Sequence, residues 1–320
     1  MWIRNAQSPD KDKVLSFCRD TFAWGDYIEE VWDKWLNDAS GSLVVADSNS
    51  SESAIRNPVA LCHASTCPHN SLWIEGIRVD RRYRNRGIAS SLLHHVLQDG
   101  IQKGLEEACA LVSFNNTPSR KLFEKHGFVA AGTFGYYNFN ANKLMEIKGL
   151  DILNDPTSID PFTNNLKLKY AKEQDYESIL QYLVKSQTYS KSNGRYFNEW
   201  KLYKLHNTYS GIHEVASHKN IVLAVNGDNS IRGMSIINTI GHDPFYKGDL
   251  AQICYLDCMN SNDYNDFIIS ILKFLYHNVH SGNIQFFVDE HMDLTSISKD
   301  NNTDVLNPKE KFLIYYKKTS

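Results

Sequence analysis

Short apolar runs and helical stripes follow one another along the first half of the chain. Met1–Asn5, Ser42–Asp47, Pro58–Thr66 and Leu72–Val79 are brief and rich in bulky apolar residues, and read as strands. Pro9–Thr21 and Tyr27–Leu36 read as helices. Ile88, Leu92, Leu93, Val96, Leu97 and Ile101 recur at three- and four-residue steps, which lays one apolar stripe along a further helix. A strand over Ala110–Phe114 leads into Asn116–Phe128, a short helix with Thr117 as N-cap, Pro118 at the first helical position and Gly127 as left-handed terminator. Thr133–Asn140 and Leu144–Lys148 supply closing strands, and the polar stretch Ser48–Ser53 predicts a mobile hairpin tip.

Two prolines and several turn formers between Asn154 and Pro161 predict a linker. Beyond it the pattern predicts strands at Leu166–Tyr170, Ile221–Asn226, Ile231–Ile240, Asp249–Cys258, Ile284–Val288 and Phe312–Tyr316. A helix is expected over Lys172–Lys185, and another carries Ile268, Ile271, Leu272, Leu275 and Val279 on one face. The order echoes the first half, so we expect two α/β domains, 1–152 and 162–320.

Between the Leu72–Val79 strand and the long helix lies Arg84-Asn85-Arg86-Gly87-Ile88-Ala89. A helix whose first turn carries small residues leaves backbone N–H groups without intrahelical partners, and its macrodipole favours an anion there. Arg81, Arg82, Arg84 and Arg86 gather at this turn, which suits the phosphates of a small ligand. The alternative is a solvated charged loop.

The cradle and the later Asn116–Phe128 segment together resemble the GCN5-related N-acetyltransferase (GNAT) superfamily. Its acetyl-CoA motif is Arg/Gln-x-x-Gly-x-Gly/Ala, and its second motif runs Asn-x-x-Ala-x-x-Leu-Tyr-x-Lys-x-Gly-Phe. Asn116, Ser119, Leu122, Phe123, Lys125, Gly127 and Phe128 fall on the second motif's positions. The resemblance implies a mixed, mostly antiparallel sheet flanked by helices, duplicated in tandem. It implies acetyl-CoA (coenzyme A) held by Val79, Arg84, Arg86, Gly87, Ile88, Ala89, Ser90, Asn116, Ser119 and Phe123. Asn85 stands where the family often has glycine, and Phe123 replaces the tyrosine implied to protonate the departing thiolate. The second half has Asn260-Ser261-Asn262-Asp263-Tyr264 where a cradle would lie, so its domain is read as degenerate; an unrelated α/β domain is the alternative.

The resemblance also implies the chemistry. Glu75 handles the amine proton directly or through water, the backbone N–H of Val79 receives the acetyl oxygen at a strand bulge, and Asn116 bonds the pantetheine arm. Tyr136 or Tyr137, or a water, replaces the missing tyrosine as acid. Side-chain alternation along a regular strand sets Glu75, Ile77 and Val79 on one face and Arg78 on the other. Asp26, Tyr27, Val31, Trp32 and Trp35, with Glu75–Val79, are similar to tandem histidine N-acetyltransferase-like proteins, which implies a free amino acid as acceptor. Arg78 is a candidate contact for an acceptor carboxylate, although alternation turns it to the face opposite Glu75. A protein N-terminus or lysine, or an acyl-CoA-binding module without catalysis, stays open.

Composition narrows the classes. The 320 residues carry 34 Lys and Arg against 37 Asp and Glu, a net charge of −3, so neither half is a polycation and no nucleic-acid track is expected. No apolar stretch is long enough to span a membrane, and the N-terminus lacks a signal-peptide pattern; a cytoplasmic protein, monomer or homodimer, with a small-molecule amine as partner is expected. The six cysteines follow no zinc or disulfide spacing, and Cys62, His63, Cys67 and His69 are read as strand and turn residues with no metal. Tyr189, Tyr196, Tyr203 and Tyr209 are candidates for a pocket wall in the second domain, with packing as the commoner role.

Overall fold

The computed structural model describes residues 1–22, 25–48, 56–67, 70–146, 167–243, 248–259, 264–278, 282–290 and 307–319. They form two compact units, one comprising Met1–Thr133 with Phe312–Ser320 and the other Phe134–Lys311. These units differ from a simple division at 152 and 162, because each takes a strand from the other's stretch of chain. An apolar run announces a half-buried strand without naming the sheet edge that it joins.

In chain order the first part holds β1 (Trp2–Asn5), α1 (Lys11–Cys18), α2 (Ile28–Leu36), β2 (Gly41–Asp47), β3 (Pro58–Cys67), β4 (Ser71–Val79), α3 (Ile88–Gln102), β5 (Glu107–Ser113), α4 (Thr117–Lys125) and β6 (Val129–Asn140). Then come β7 (Lys167–Tyr170), α5 (Tyr176–Lys185), α6 (Gln187–Ser192), β8 (Arg195–Asn198), β9 (Lys201–Lys204), α7 (Tyr209–His218), β10 (Asn220–Val225), β11 (Ile231–Asp243), β12 (Gly248–Cys258), α8 (Tyr264–Asn278), β13 (Gly282–Asp289) and β14 (Glu310–Lys318). Residues 141–146 form a 3-10 turn where a strand from Leu144 was expected. The hairpin tip, the linker, His69 and residues 260–263 lie outside the described residues.

The first unit's strands run β1-β2-β3-β4-β5-β14 and the second's β6-β13-β12-β11-β10-β7. In each, one neighbouring pair near the middle is parallel, β4 with β5 and β12 with β13, and the rest are antiparallel. Two apolar layers sandwich the first sheet. Leu92, Leu93 and Val96 of α3 pack on Val44, Cys62, Leu72 and Ile74; Ile28, Trp32 and Trp35 of α2 pack with α1 on Val45 and Leu61. In the second unit α8 covers one face and α5 with α7 the other.

Both parallel pairs are short, and β4 and β12 each carry a bulge. Leu61 pairs with Arg78 but His63 with Glu75, so Gly76 and Ile77 together oppose Cys62. Gly76 sits at φ +67°, the left-handed conformation that a bulge glycine supplies. A Cβ added there would stand 2.5 Å from the Trp35 ring. In β12, Ile236 pairs with Tyr255 and Ile237 with Ile253, which leaves Cys254 as the extra residue.

The second unit buries a carboxylate beyond its bulge. Asp257 is fully buried, accepts from Tyr255 Oη at 2.9 Å and from Ser186 Oγ, and burial raises its pKa against those donors. As pH rises, the unfolded chain loses this proton first, so stability falls between the unfolded and the folded pKa.

Two predictions follow from these positions. Gly76→Ala should cost about 2–4 kcal/mol, combining left-handed strain with overpacking; chemical denaturation showing a loss under about 0.5 kcal/mol would contradict the bulge. Asp257→Asn removes the ionisation, so its thermal midpoint relative to wild type should be higher at pH 7.5 than at pH about 4. Parallel pH dependences in the two proteins would show that Asp257 does not titrate in this way.

Candidate active site

Beyond the bulge the strands of the first unit part. β4 and β5 pair only at Ser71↔Glu107, Leu72↔Ala108 and Trp73↔Cys109. Asp80 N–H donates to Val59 C=O at 2.8 Å, so alternation turns the Val79 amide away from β3 and toward the edge from which β5 has diverged. Val79 C=O accepts from Arg84 Nε at 3.1 Å, which ties the cradle loop to the strand end.

The loop is shaped by one carboxylate and two left-handed residues. Asp80, nearly buried, accepts from the Arg82 backbone N–H at 3.0 Å and from Arg82 Nη2 at 2.6 Å; the Arg82 hydrogen bond holds its pKa below the ordinary carboxylate value. Asn85 (φ +61°) and Gly87 (φ +76°) follow. Asparagine is the non-glycine residue that enters this region most readily, which accounts for its place where the related motif has glycine. Gly87 is the N-cap of α3, and Ser91 N–H makes the first return bond to its carbonyl at 3.0 Å. The N–H groups of Ile88, Ala89 and Ser90 therefore precede the helical ladder. A Cβ on Gly87 would meet nothing within 4 Å: the space over the helix start is open to a ligand. Arg84 and Arg86 are exposed beside it, the latter over the Tyr83 ring at 5.1 Å.

On α4 the N-cap is Asn116 and not Thr117, as its Oδ1 accepts from Ser119 N–H at 3.1 Å. That bond occupies the acceptor of Asn116 and leaves its Nδ2 donor for a ligand. Gly127 (φ +80°) ends the helix with Phe128 N–H bonded to Phe123 C=O and Gly127 N–H to Glu124 C=O, a Schellman closure. Phe123 is buried edge-to-face on Phe128 at 5.0 Å and stacked on Tyr315 at 5.8 Å. Tyr315 arrives on β14 and donates to Glu124 Oε1 at 2.7 Å.

The bulge corrects the expected facing of β4. The extra residue shifts the alternation, so Ile77 and Val79 pack toward α3, while Glu75 and Arg78 share the face under α2. Glu75 Oε1 lies 3.0 Å from His63 Nδ1. Arg78 makes a two-pronged pair with Asp26 (2.7 and 3.1 Å) and sits over the rings of Phe22 and Tyr27. Burial works against the guanidinium charge, and Tyr27 and Asp26 outweigh it to hold its pKa above the ordinary value. Burial likewise pushes the Tyr27 phenol up to about 12.

Tyr136 and Tyr137 belong to the second unit. Tyr136 Oη accepts from Gln285 Nε2 at 3.0 Å and its ring lies 4.7 Å from Trp200; Tyr137 is buried and stacked on Phe286 at 4.8 Å. Of the four tyrosines considered as a pocket wall, Tyr196 is core, Tyr189 bonds Leu205 C=O, Tyr203 stacks on Tyr196 and Tyr209 is exposed. His63, between Glu75 and Asp38, went unmarked in the sequence as a functional residue; its register opposite Glu75 emerges only once β3 and β4 pair. Among the described residues no helix is long and apolar enough to cross a membrane, and no group of three or more metal-ligating side chains converges.

A segment of the chain is 40% identical over 58 residues to the Bacillus subtilis (strain 168) protein named "Putative phosphinothricin acetyltransferase YwnH"; the match spans 18% of this chain and 36% of that relative. A GCN5-related N-acetyltransferase from Sphaerobacter thermophilus has a similar fold, with TM-score 0.60 and 14% identity over 99% of this chain and 95% of that one. A tandem GNAT protein from the clavulanic acid biosynthesis pathway gives TM-score 0.52 and 11% identity over 100% and 98%. Whole-chain likeness to a tandem protein agrees with a mixed, mostly antiparallel α/β fold present twice. Residues 11–128, which hold the cradle, the bulge and α4, match the model of the acetyltransferase (GNAT) family.

Proposed function

We propose that the chain is an acetyl-CoA-dependent N-acetyltransferase acting on a small amine. The observation that carries this reading is the bulged, splayed end of β4. It turns an amide edge toward the gap with β5, beside the open helix start at Gly87, and sets Glu75 on the opposite face. The family's members use acetyl-CoA, which supplies the acetyl group to be transferred. The Ile88, Ala89 and Ser90 amides with Arg84 and Arg86 suit its pyrophosphate, the Asn116 Nδ2 suits the pantetheine arm, and the Val79 amide is the donor for the carbonyl oxygen as it gains negative charge.

Glu75, partly exposed at 19% of its side chain, is the group to accept the amine proton, directly or through water. Phe123 has no proton to give. Tyr136 and Tyr137 are each packed within the second unit, which supports water as the proton source for the leaving thiolate. A thiol of pKa about 8.5 leaves without much assistance. Arg78 is engaged by Asp26, and this weighs against a free amino acid gripped by Arg78 through its carboxylate. The second unit, which has no cradle sequence, serves a structural role.

Coenzyme A should bind with one site per chain by isothermal titration. Gly87→Glu should weaken it at least about 100-fold by placing strain and charge at the helix start; unchanged affinity would remove the cradle from the binding site. Free-thiol release from acetyl-CoA across a panel of amines, polyamines, amino acids and peptides should identify the acceptor, with Glu75→Gln slowing turnover about 10²- to 10⁴-fold. Binding without thiol release for any acceptor would mark the chain as an acyl-CoA-binding module.

A further inference from the structure

The His63 imidazole is fully buried and lies flat against the Trp35 ring, with centroids 4.6 Å apart and planes at 5°. Its Nδ1 faces Glu75 Oε1 at 3.0 Å, and its Nε2 lies 3.4 Å from Asp38 Oδ2 with no well-aligned hydrogen-bond partner. A buried imidazole between two carboxylates is an unusual arrangement for packing alone. A phenyl ring would stack on Trp35 as well, and burying a polar ring has a cost unless its nitrogens are used. Both carboxylates reach the surface, with side chains 19% and 18% exposed, whereas the ring does not. The remaining ionisable neighbours leave His63 as the group that faces Glu75. Arg78 is paired with Asp26, burial raises the pKa of the Tyr27 phenol, and burial raises that of the Cys62 thiol on the neighbouring strand position.

We propose that His63 is the positioning residue of the acetyl-transfer site, holding Glu75 through Nδ1–H. The proposal rests on Glu75 as the base. An Nδ1–H bond to Oε1 leaves Oε2 as the oxygen that meets the amine, and fixes the carboxylate without blocking it. No bond to carbon is made or broken by His63: the amine's proton goes to Glu75, and the imidazole keeps its own. His63 packs on the α2 face of the sheet and the cradle lies at the start of α3, so the role separates from coenzyme A binding.

Three variants at this position separate positioning from packing. His63→Phe keeps the stack on Trp35 and removes both ring nitrogens; His63→Asn returns a donor near Nδ1; His63→Gln returns one near Nε2. With the acceptor found by thiol release, His63→Phe should lower kcat at least about 10-fold, part of the 10²–10⁴ a positioned base supplies. It should leave the KM for acetyl-CoA within about twofold, because the cradle lies on the other face of the sheet. His63→Asn should recover most of kcat and His63→Gln little. Wild-type kcat in His63→Phe, or equal loss in all three, would overturn the proposal. A measurement independent of turnover is the Nδ1–H resonance of His63 in NMR of histidine-labelled protein. Glu75→Ala should shift or remove it, and a resonance that this change does not move would overturn the proposal even where no acceptor is turned over. Absence of thiol release with a His63 resonance that shifts in Glu75→Ala would instead count against the transferase reading while leaving the His63–Glu75 contact intact.

Discussion

The site depends on one extra residue in a strand. Gly76 occupies a left-handed conformation, pressed so near Trp35 that a methyl group would overlap the ring. That single bulge does three things. It re-aims the strand beyond it, bringing Arg78 to the same face as Glu75. It accompanies the parting of β4 from β5 after Trp73, which exposes an amide edge. It also brings the indole close, and the indole in turn supports the His63 ring that touches Glu75. Trp35 is therefore a wedge between the bulge and the histidine, and packing, backbone conformation and candidate chemistry converge on it.

The second unit repeats the frame with different filling. Its β12 also carries a bulge beside a parallel neighbour. Where the first unit places a partly exposed carboxylate near an imidazole, the second buries Asp257 among Ser186 and Tyr255. Gln252 links Gln285 at 3.1 Å and the Glu199 amide at 2.7 Å. Glu199 and Trp200 adopt positive φ in the two-residue turn between β8 and β9, a conformation that glycine and asparagine take more readily. The Gln252 bond and the Tyr136 and Phe287 rings against Trp200 hold it. A bulge without a cradle is thus compatible with a closed, structural core.

The sequence disclosed most elements of the sheet, because strand and helix periods are local. β3, β4, α3 and β12 each start and end within a few residues of the apolar patterns that predict them. What the patterns hid is non-local. The region between Lys185 and Ile221, where α6, β8, β9 and α7 lie, is rich in tyrosine and lysine with no clear period. The exchange of β6 and β14 between units depends on pairing and not on pattern. In the site, the cradle was legible because its glycine and arginines are consecutive. The facing of Arg78 was not, since alternation assumes a regular strand and one bulge reverses it. His63 was unreadable for the same reason: its partner lies twelve positions along the chain and meets it only across a shifted register.

The helix that would carry a general acid shows how a local closure can limit chemistry. Phe123 sits at the Schellman position of α4, where its carbonyl accepts from Phe128 and its ring packs on that same residue. Tyr315 stacks on the Phe123 ring and donates its hydroxyl proton to Glu124. A hydroxyl added to Phe123 would extend a ring that is already almost wholly buried and would need a partner of its own. The closure of α4 thus favours an apolar residue at this position. Departure of a thiolate asks little of an acid compared with departure of an amine or alkoxide, since its conjugate acid has a pKa of about 8.5. The difficult proton is the one on the incoming amine. In the proposed reaction, the buried histidine beside Glu75 stands at that end, where the chemical demand is greater.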